Sequence, residues 1–298
     1  MDTHHEISDT ATGGIPSLFP VVTVADAAAW LTEPLGSKRK FWFQHESSTD
    51  PTRGMRIKTL YLAWQDPEDR RWLPVGRLSF DGHVYRFVYT KGAKQSPRFV
   101  PFGMMRDLHA VYESAVLFPL FANRLLSKTR PEYRDFLTWL DVPEHAAEPL
   151  VLLALTEGMR ATDALMVFPY PEKSSDGKYH VRFFSHGLRY VLPAVVQFID
   201  EHLHPPAQLF LMLDPQNPHD PSAVALRTVD PALLVGYCPR FLTADVRHLL
   251  QTVPVTLHVA VKRVNRDAPL QLRLLCSVIA DWPDNFQPCS DALYEALA

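Results

Sequence analysis

Apolar and polar residues largely alternate from Met55 to Leu62, the two-residue period of a strand with one face in a core. Leu73–Leu78 predicts a second strand. Asp81-Gly82 is a tight-turn signal, after which His83–Tyr89 returns as a third. Around Asp107 the period changes. Leu108, Val111, Tyr112, Ala115, Val116 and Phe118 follow the spacing of a helix, which Pro119 breaks and Phe121–Leu126 continues. Thr129-Arg130-Pro131-Glu132 predicts the start of another helix, with Tyr133, Phe136, Leu137 and Leu140 on one face. Pro149–Thr156 opens a third, stopped by Gly158. Further upstream, Val21–Val24 predicts a short strand, and Asp26 caps a helical turn over Ala27–Leu31.

Pro169 to Gly177 is rich in turn residues and is the predicted domain boundary. Beyond it the chain reads as strands at Val181–Leu188, Gln208–Leu213, Ala223–Arg227, Leu233–Tyr237, Val255–Val264 and Leu270–Ala280. Phe198–Leu203 and Thr243–Leu250 read as short helices, the second with Thr243 as its N-cap. The predicted fold class is α+β: an N-terminal antiparallel sheet with helices, then a small OB-like β-barrel with two short helices. The predicted organisation is a mostly disordered segment 1–36, an α+β domain 37–170 and a barrel domain 178–298.

Composition narrows the class. At 298 residues, 47% hydrophobic and 21% charged, the chain is of ordinary globular make-up. Its 26 prolines favour short, sharply bounded elements. Three cysteines without a C-x-x-C spacing argue against a disulfide framework or a zinc ribbon and for a reduced, cytoplasmic protein. No signal-peptide pattern opens the sequence, and no apolar run reaches the ~18 residues of a membrane span. The net charge of −3 excludes a uniformly basic coat. Charge is nonetheless uneven: Ser37–Arg98 carries 13 Lys and Arg against 6 Asp and Glu, while residues 1–32 carry neither Lys nor Arg. Lys38-Arg39-Lys40 precedes Phe41, Trp42 and Phe43, a mixture that suits either a strand-binding patch or a buried strand after a charged loop.

The common enzyme motifs are missing. There is no phosphate-binding loop, dinucleotide fingerprint, kinase catalytic loop, nucleophile elbow or H-E-x-x-H pair. His202-x-His204 lacks a third ligand nearby, and Asp214 and Asp220 sit among prolines where turn capping explains them. The expectation is a non-catalytic protein without cofactor or metal.

The informative stretch runs from Leu209 to Leu250. An apolar strand enters Asp214-Pro215-Gln216-Asn217-Pro218-His219-Asp220-Pro221-Ser222, and Ala223-Val224-Ala225 leaves it. Three prolines fix φ, and Asn217 and Asp220 can bond to nearby backbone, so the turn is rigid and suited to displaying side chains. Leu234-Val235-Gly236-Tyr237-Cys238-Pro239-Arg240 follows. These two motifs, with His186-Gly187-Leu188-Arg189-Tyr190 upstream, resemble the HIRAN domain over about residues 180–266. Leu226 and Cys238 depart from the family pattern by apolar exchanges. The resemblance implies binding of single-stranded DNA at a 3′ end. Arg189 and Tyr190 match positions that contact the terminal nucleotide. Asn217 and Asp220 match turn residues, with Asp220 on the terminal sugar hydroxyl. His219 stands where the DNA-binding relative has Tyr, Tyr237 where it has His, and Arg240 in place of a Lys on phosphate.

Val75-Gly76-Arg77-Leu78, Tyr85–Tyr89, Leu117–Leu126 and Leu152–Phe168 resemble the small N-terminal subdomain of HipA-type toxin kinases, without the kinase core. Together the likenesses imply a bacterial, non-catalytic nucleic-acid-binding protein in a toxin–antitoxin or defence setting. The alternative is an antitoxin-like module that docks a protein kinase or other effector.

Overall fold

In the computed structural model, which describes residues 57–298, the first predicted strand lies at Thr59–Gln65 (β1). The segments predicted at Val21–Leu31, the disordered segment 1–36 and the aromatic run at Phe41 lie outside the described residues. Strands Trp72–Phe80 (β2), Tyr85–Tyr89 (β3), Tyr112–Ser114 (β4) and Leu165–Pro169 (β5) complete an antiparallel sheet in the order β4-β3-β2-β1-β5. Pro74 lies within β2, an interior strand. It stands opposite Ala63 where the β1–β2 register slips, and such a bulge accommodates a residue that cannot donate to the ladder.

Alternation in β1 does not mark one wet face, because both faces are buried. Leu60 and Leu62 enter one core with Phe87, Tyr89 and Leu153. Tyr61 and Ala63 enter another with Met166 and Phe168.

The helix expected over Leu108–Phe118 does not form. Tyr112–Ser114 instead pairs with β3, and Arg86 Nε meets Glu113 Oε1 at 2.7 Å across the pair. The Tyr112 hydroxyl donates to the Asp107 carbonyl (2.9 Å) and accepts from its N–H (2.8 Å), tying off the preceding loop. Val111 and Val116, which the helical reading places on an apolar face, are exposed. Pairing with an open sheet edge wins over a marginal local period. Pro119 does not break a helix but begins one, Pro119–Ala122 (α1). Pro149 and Pro193 likewise open Pro149–Thr156 (α3) and Pro193–His202 (α4), since the first-turn N–H is unpaired in any helix. Between α1 and α3 lies Tyr133–Leu140 (α2), with Tyr133, Leu137 and Leu140 buried as predicted and Phe136 packed beside them.

The second sheet comprises Lys178–Phe184 (β6), Gln208–Leu213 (β7), Val224–Arg227 (β8), Leu234–Tyr237 (β9), His258–Val264 (β10) and Leu274–Asp281 (β11). Its order is β6-β11-β10-β7-β8-β9, and it curls into a half-barrel. Three predicted strands give up residues at one end: Leu188 and Leu270 belong to 3-10 turns, and β10 begins at His258 rather than Val255. Helix Arg240–Thr252 (α5) plugs the half-barrel with Leu242, Val246 and Leu249. It begins three residues before the predicted N-cap, so Thr243 is buried inside it and its hydroxyl donates back to the Pro239 carbonyl. Asp245, on the buried side, accepts from the Tyr179 hydroxyl at 2.9 Å. Burial pushes its pKa up to about 6, against the lowering effect of that bond.

The two sheets are joined by apolar and polar contacts. Phe184 and Leu275 of the half-barrel pack among Leu137, Leu140, Val151 and Leu155. Phe241 of α5 stacks on Phe168 of β5, rings 5.2 Å apart. The C-terminal carbonyls of α2, unpaired within the helix, find side chains from the half-barrel. Arg182 donates to Leu140 and Asp141, and Asn265 donates to Trp139 (2.9 Å) and to Leu272 (2.7 Å). The last residues of the chain return to the first sheet, where Leu297 N–H donates to Tyr89 (2.9 Å) and Lys91 pairs with Glu295. No helix among the described residues is long and apolar enough to cross a membrane.

Asn265 is 5% exposed and satisfies two carbonyls from two elements. Asn265→Ala leaves both without that donor, so urea denaturation is expected to show a loss of about 1–3 kcal/mol. An unchanged midpoint would mean water replaces the amide at no cost.

Candidate nucleic-acid interface

The turn between β7 and β8 is built from its own polar groups. Asp214 N–H donates to Ala223, and Ala223 N–H to Asp220, closing the base. Asn217 Oδ1 accepts from the N–H groups of His219 (3.0 Å) and Asp220 (3.2 Å), while its Nδ2 donates to Asp214 Oδ2 (3.2 Å). Asp220 Oδ1 accepts from Ser222 N–H at 2.9 Å. Pro215, Pro218 and Pro221 bring no N–H that would need a partner.

Tyr237 fastens this turn to the barrel. Its hydroxyl donates to Asp214 Oδ2 at 3.0 Å. Burial, then the Asp214 carboxylate that takes this bond, raises its pKa. Its backbone exchanges two hydrogen bonds of 2.9 Å with His186, joining β9 to the end of β6, where the Ser185 hydroxyl also donates to the Val235 carbonyl at 2.7 Å. Gly236 (φ +112°) permits this approach, because a Cβ there would lie 2.0 Å from Ser185 Oγ.

Past Gly187 (φ +79°) the chain makes a 3-10 turn, held by Tyr190 N–H on the Gly187 carbonyl. Tyr190 is 73% exposed, so it is not a core aromatic. The Arg189 guanidinium lies 4.6 Å over its ring and donates to its hydroxyl. On the other flank, Arg240 at the start of α5 meets Asp220 Oδ2 at 3.1 Å and the His219 carbonyl at 3.1 Å. The exposed His219 ring has no hydrogen-bond partner among the described residues.

The structure joins five of the seven residues singled out by sequence directly and brings the other two in through the backbone bridge of His186 to Tyr237. Asn217, His219, Asp220, Tyr237 and Arg240 share a hydrogen-bonded network, and Arg189 and Tyr190 join it through Gly187. Asp220 and Arg240 hold each other, so neither is idle before a ligand arrives. Sequence reasoning gave Asp214 a turn-capping role only, yet it is also the hub that accepts from both Tyr237 and Asn217. Its signal was its place at the head of the Asp-Pro-x-Asn-Pro pattern. No group of three or more His, Cys, Asp or Glu residues able to hold a metal ion occurs among the described residues, and His202 lies instead near Glu201. Cys238, Cys276 and Cys289 are free thiols.

His186 carries the surface's link to the first half. Its Nε2 lies 2.7 Å from Oε1 of Glu157, a buried carboxylate at the end of α3 with φ +57°. Glu157 Oε2 has no hydrogen-bond partner among the described residues. Burial disfavours the imidazolium, yet the Glu157 carboxylate outweighs it by charge and hydrogen bond, and the His186 pKa lies above its ordinary 6.5.

Residues 178–283 match the family model of the HIRAN domain. Among solved structures, the chain is similar to the HIRAN domain of human HLTF, with 16% identity and a TM-score of 0.27. That likeness covers 36% of this chain and 80% of that one. It is also similar to a protein from Lactobacillus plantarum, with 17% identity and a TM-score of 0.27, over 35% of this chain and 99% of that one. No curated protein matches. The HIRAN domain is a DNA-binding module, which is consistent with nucleic-acid binding by the half-barrel. The stretch likened to HipA-type kinases lies outside the matched residues.

A raised histidine pKa gives the pair a pH signature. Its stabilisation is fully present below about pH 6.5 and is lost as pH rises through the higher folded value. Unfolding midpoints measured from pH 5.5 upward are expected to carry this loss in the native chain. In Glu157→Gln it should vanish or reverse, since burial then acts on His186 alone. A parallel decline in both would exclude the pair as its source.

Proposed function

We propose that the half-barrel is a non-catalytic binding site for a nucleic-acid strand, single-stranded DNA or a DNA 3′ end, seated between the Arg189–Tyr190 turn and the Asp214–Ser222 turn. The observation that carries this reading is Tyr190. A large aromatic ring stands in solvent, backed by a guanidinium, on the turn that follows the His186–Tyr237 bridge. Aromatic rings stack bases of any identity, and arginine adds attraction for phosphate. The carboxylates support binding rather than chemistry: Asp214 and Asp220 are both engaged in holding the turn. A rigid turn loses little entropy when a strand docks.

The test is fluorescence anisotropy with three probes: a short single strand ending in a 3′-hydroxyl, the same strand ending in a 3′-phosphate, and the matching blunt duplex. Preference for the hydroxyl end is expected. Tyr190→Ala should weaken binding by about 1–3 kcal/mol, roughly five- to 150-fold. Asp214→Ala, which removes the acceptor shared by Tyr237 and Asn217, should weaken it as well. No binding at low salt would overturn the reading and move the role to docking of a partner protein such as a kinase.

A further inference from the structure

Helix α5 does more than plug the half-barrel. Arg240, Ala244, Arg247, His248 and Gln251 recur at helical spacing along one side of it, while Leu242, Val246 and Leu249 face the core. That side forms the wall of an open hollow of about 470 Å³, whose opposite edge is Asp220 and Ser222 of the turn. The hollow is therefore continuous with the surface described above.

Its chemistry is that of a polyanion with flat rings. Arg240 is neutralised by Asp220, but Arg247 has no ion pair and no side-chain hydrogen bond among the described residues. The two lie seven residues apart, about 10 Å along the helix axis, which spans more than one phosphate of a strand. The small Ala244 between them leaves room for a backbone to lie against the helix. His248 adds an aromatic surface. Its ring is stacked on Phe286, centroids 5.0 Å apart and planes 16° from parallel, and the residue is exposed. A ring fixed on one face and open to solvent is a platform for a base.

We propose that the strand continues past the turn along α5, with Arg240 and Arg247 on its phosphates and a base stacked on His248. This rests on the reading of the half-barrel as a strand-binding site. It adds a second subsite, and so a length requirement that contact at the terminal nucleotide alone does not impose.

The experiment compares single strands of about 3 and about 12 nucleotides, the first below and the second within the roughly 4–16 nucleotides that barrels of this kind cover. On the longer strand, Arg247→Gln should flatten the dependence of log affinity on log salt by about 0.7, the share of one single-strand phosphate. His248→Ala should weaken the longer strand by about fivefold or more with the salt slope unchanged, and His248→Phe should restore it. On the shorter strand neither substitution should matter, whereas Tyr190→Ala should weaken both. Loss on both lengths from Arg247→Gln or His248→Ala would show a general effect on the barrel and overturn the second subsite. So would no loss on either length while Tyr190→Ala still acts, a result that leaves the terminal site standing. A native chain that binds neither strand overturns both readings together.

Discussion

Gly236 has no side chain, and a Cβ at its position would stand 2.0 Å from Ser185 Oγ and 2.5 Å from the His186 carbonyl oxygen. That room lets β9 meet the end of β6, where Tyr237 and His186 exchange backbone hydrogen bonds. Much of the site hangs from this pair. Tyr237 reaches one way to Asp214 and steadies the proline-rich turn. His186 reaches the other way to Glu157 and so to α3 beneath the first sheet. Directly after it, the Gly187 turn presents Arg189 and Tyr190. A side chain at position 236 would part the strands and separate the two halves of the interface.

The half-barrel is correspondingly hard to regard as free of what precedes it. α2 is only eight residues long, too short to be stable alone. Its carbonyl end is completed by Arg182 and Asn265, and its apolar face by Phe184 and Leu275. Phe241, one residue after Arg240, is stacked on Phe168 of the first sheet. The helix that lines the candidate strand path is thus anchored in both sheets. Any shift of the first sheet against the second acts on the position of α5, so apolar contact couples the N-terminal half to the interface alongside the Glu157–His186 pair.

Local rules served well wherever an element's character is written in adjacent residues. Pro149 and Gly158 bound α3, and alternation of polar and apolar residues marks β6 and β10, because proline, glycine and side-chain period act within a few residues. They failed at Leu108–Phe118, where a helical spacing of apolar residues lost to the hydrogen-bonding capacity of the β3 edge. They also misplaced the start of α5. Thr243 has the chemistry of a cap, but Pro239 and Arg240 are where the chain leaves β9 and the helix can begin.

The candidate site divides along the same line. The Asp-Pro-x-Asn-Pro-x-Asp pattern by itself determines a rigid turn and displays its residues, because prolines and Asx side chains act on their own backbone. What the sequence could not contain is that Arg240 would close on Asp220, that Asp214 would serve as hub for Tyr237, or that His186 would find Glu157, 29 residues away. Those pairings follow from how the sheet curls and from a glycine that lets two strands touch. Only tertiary structure decides them, since charge and hydrogen bonding act over a few ångströms in space and take no account of distance along the chain.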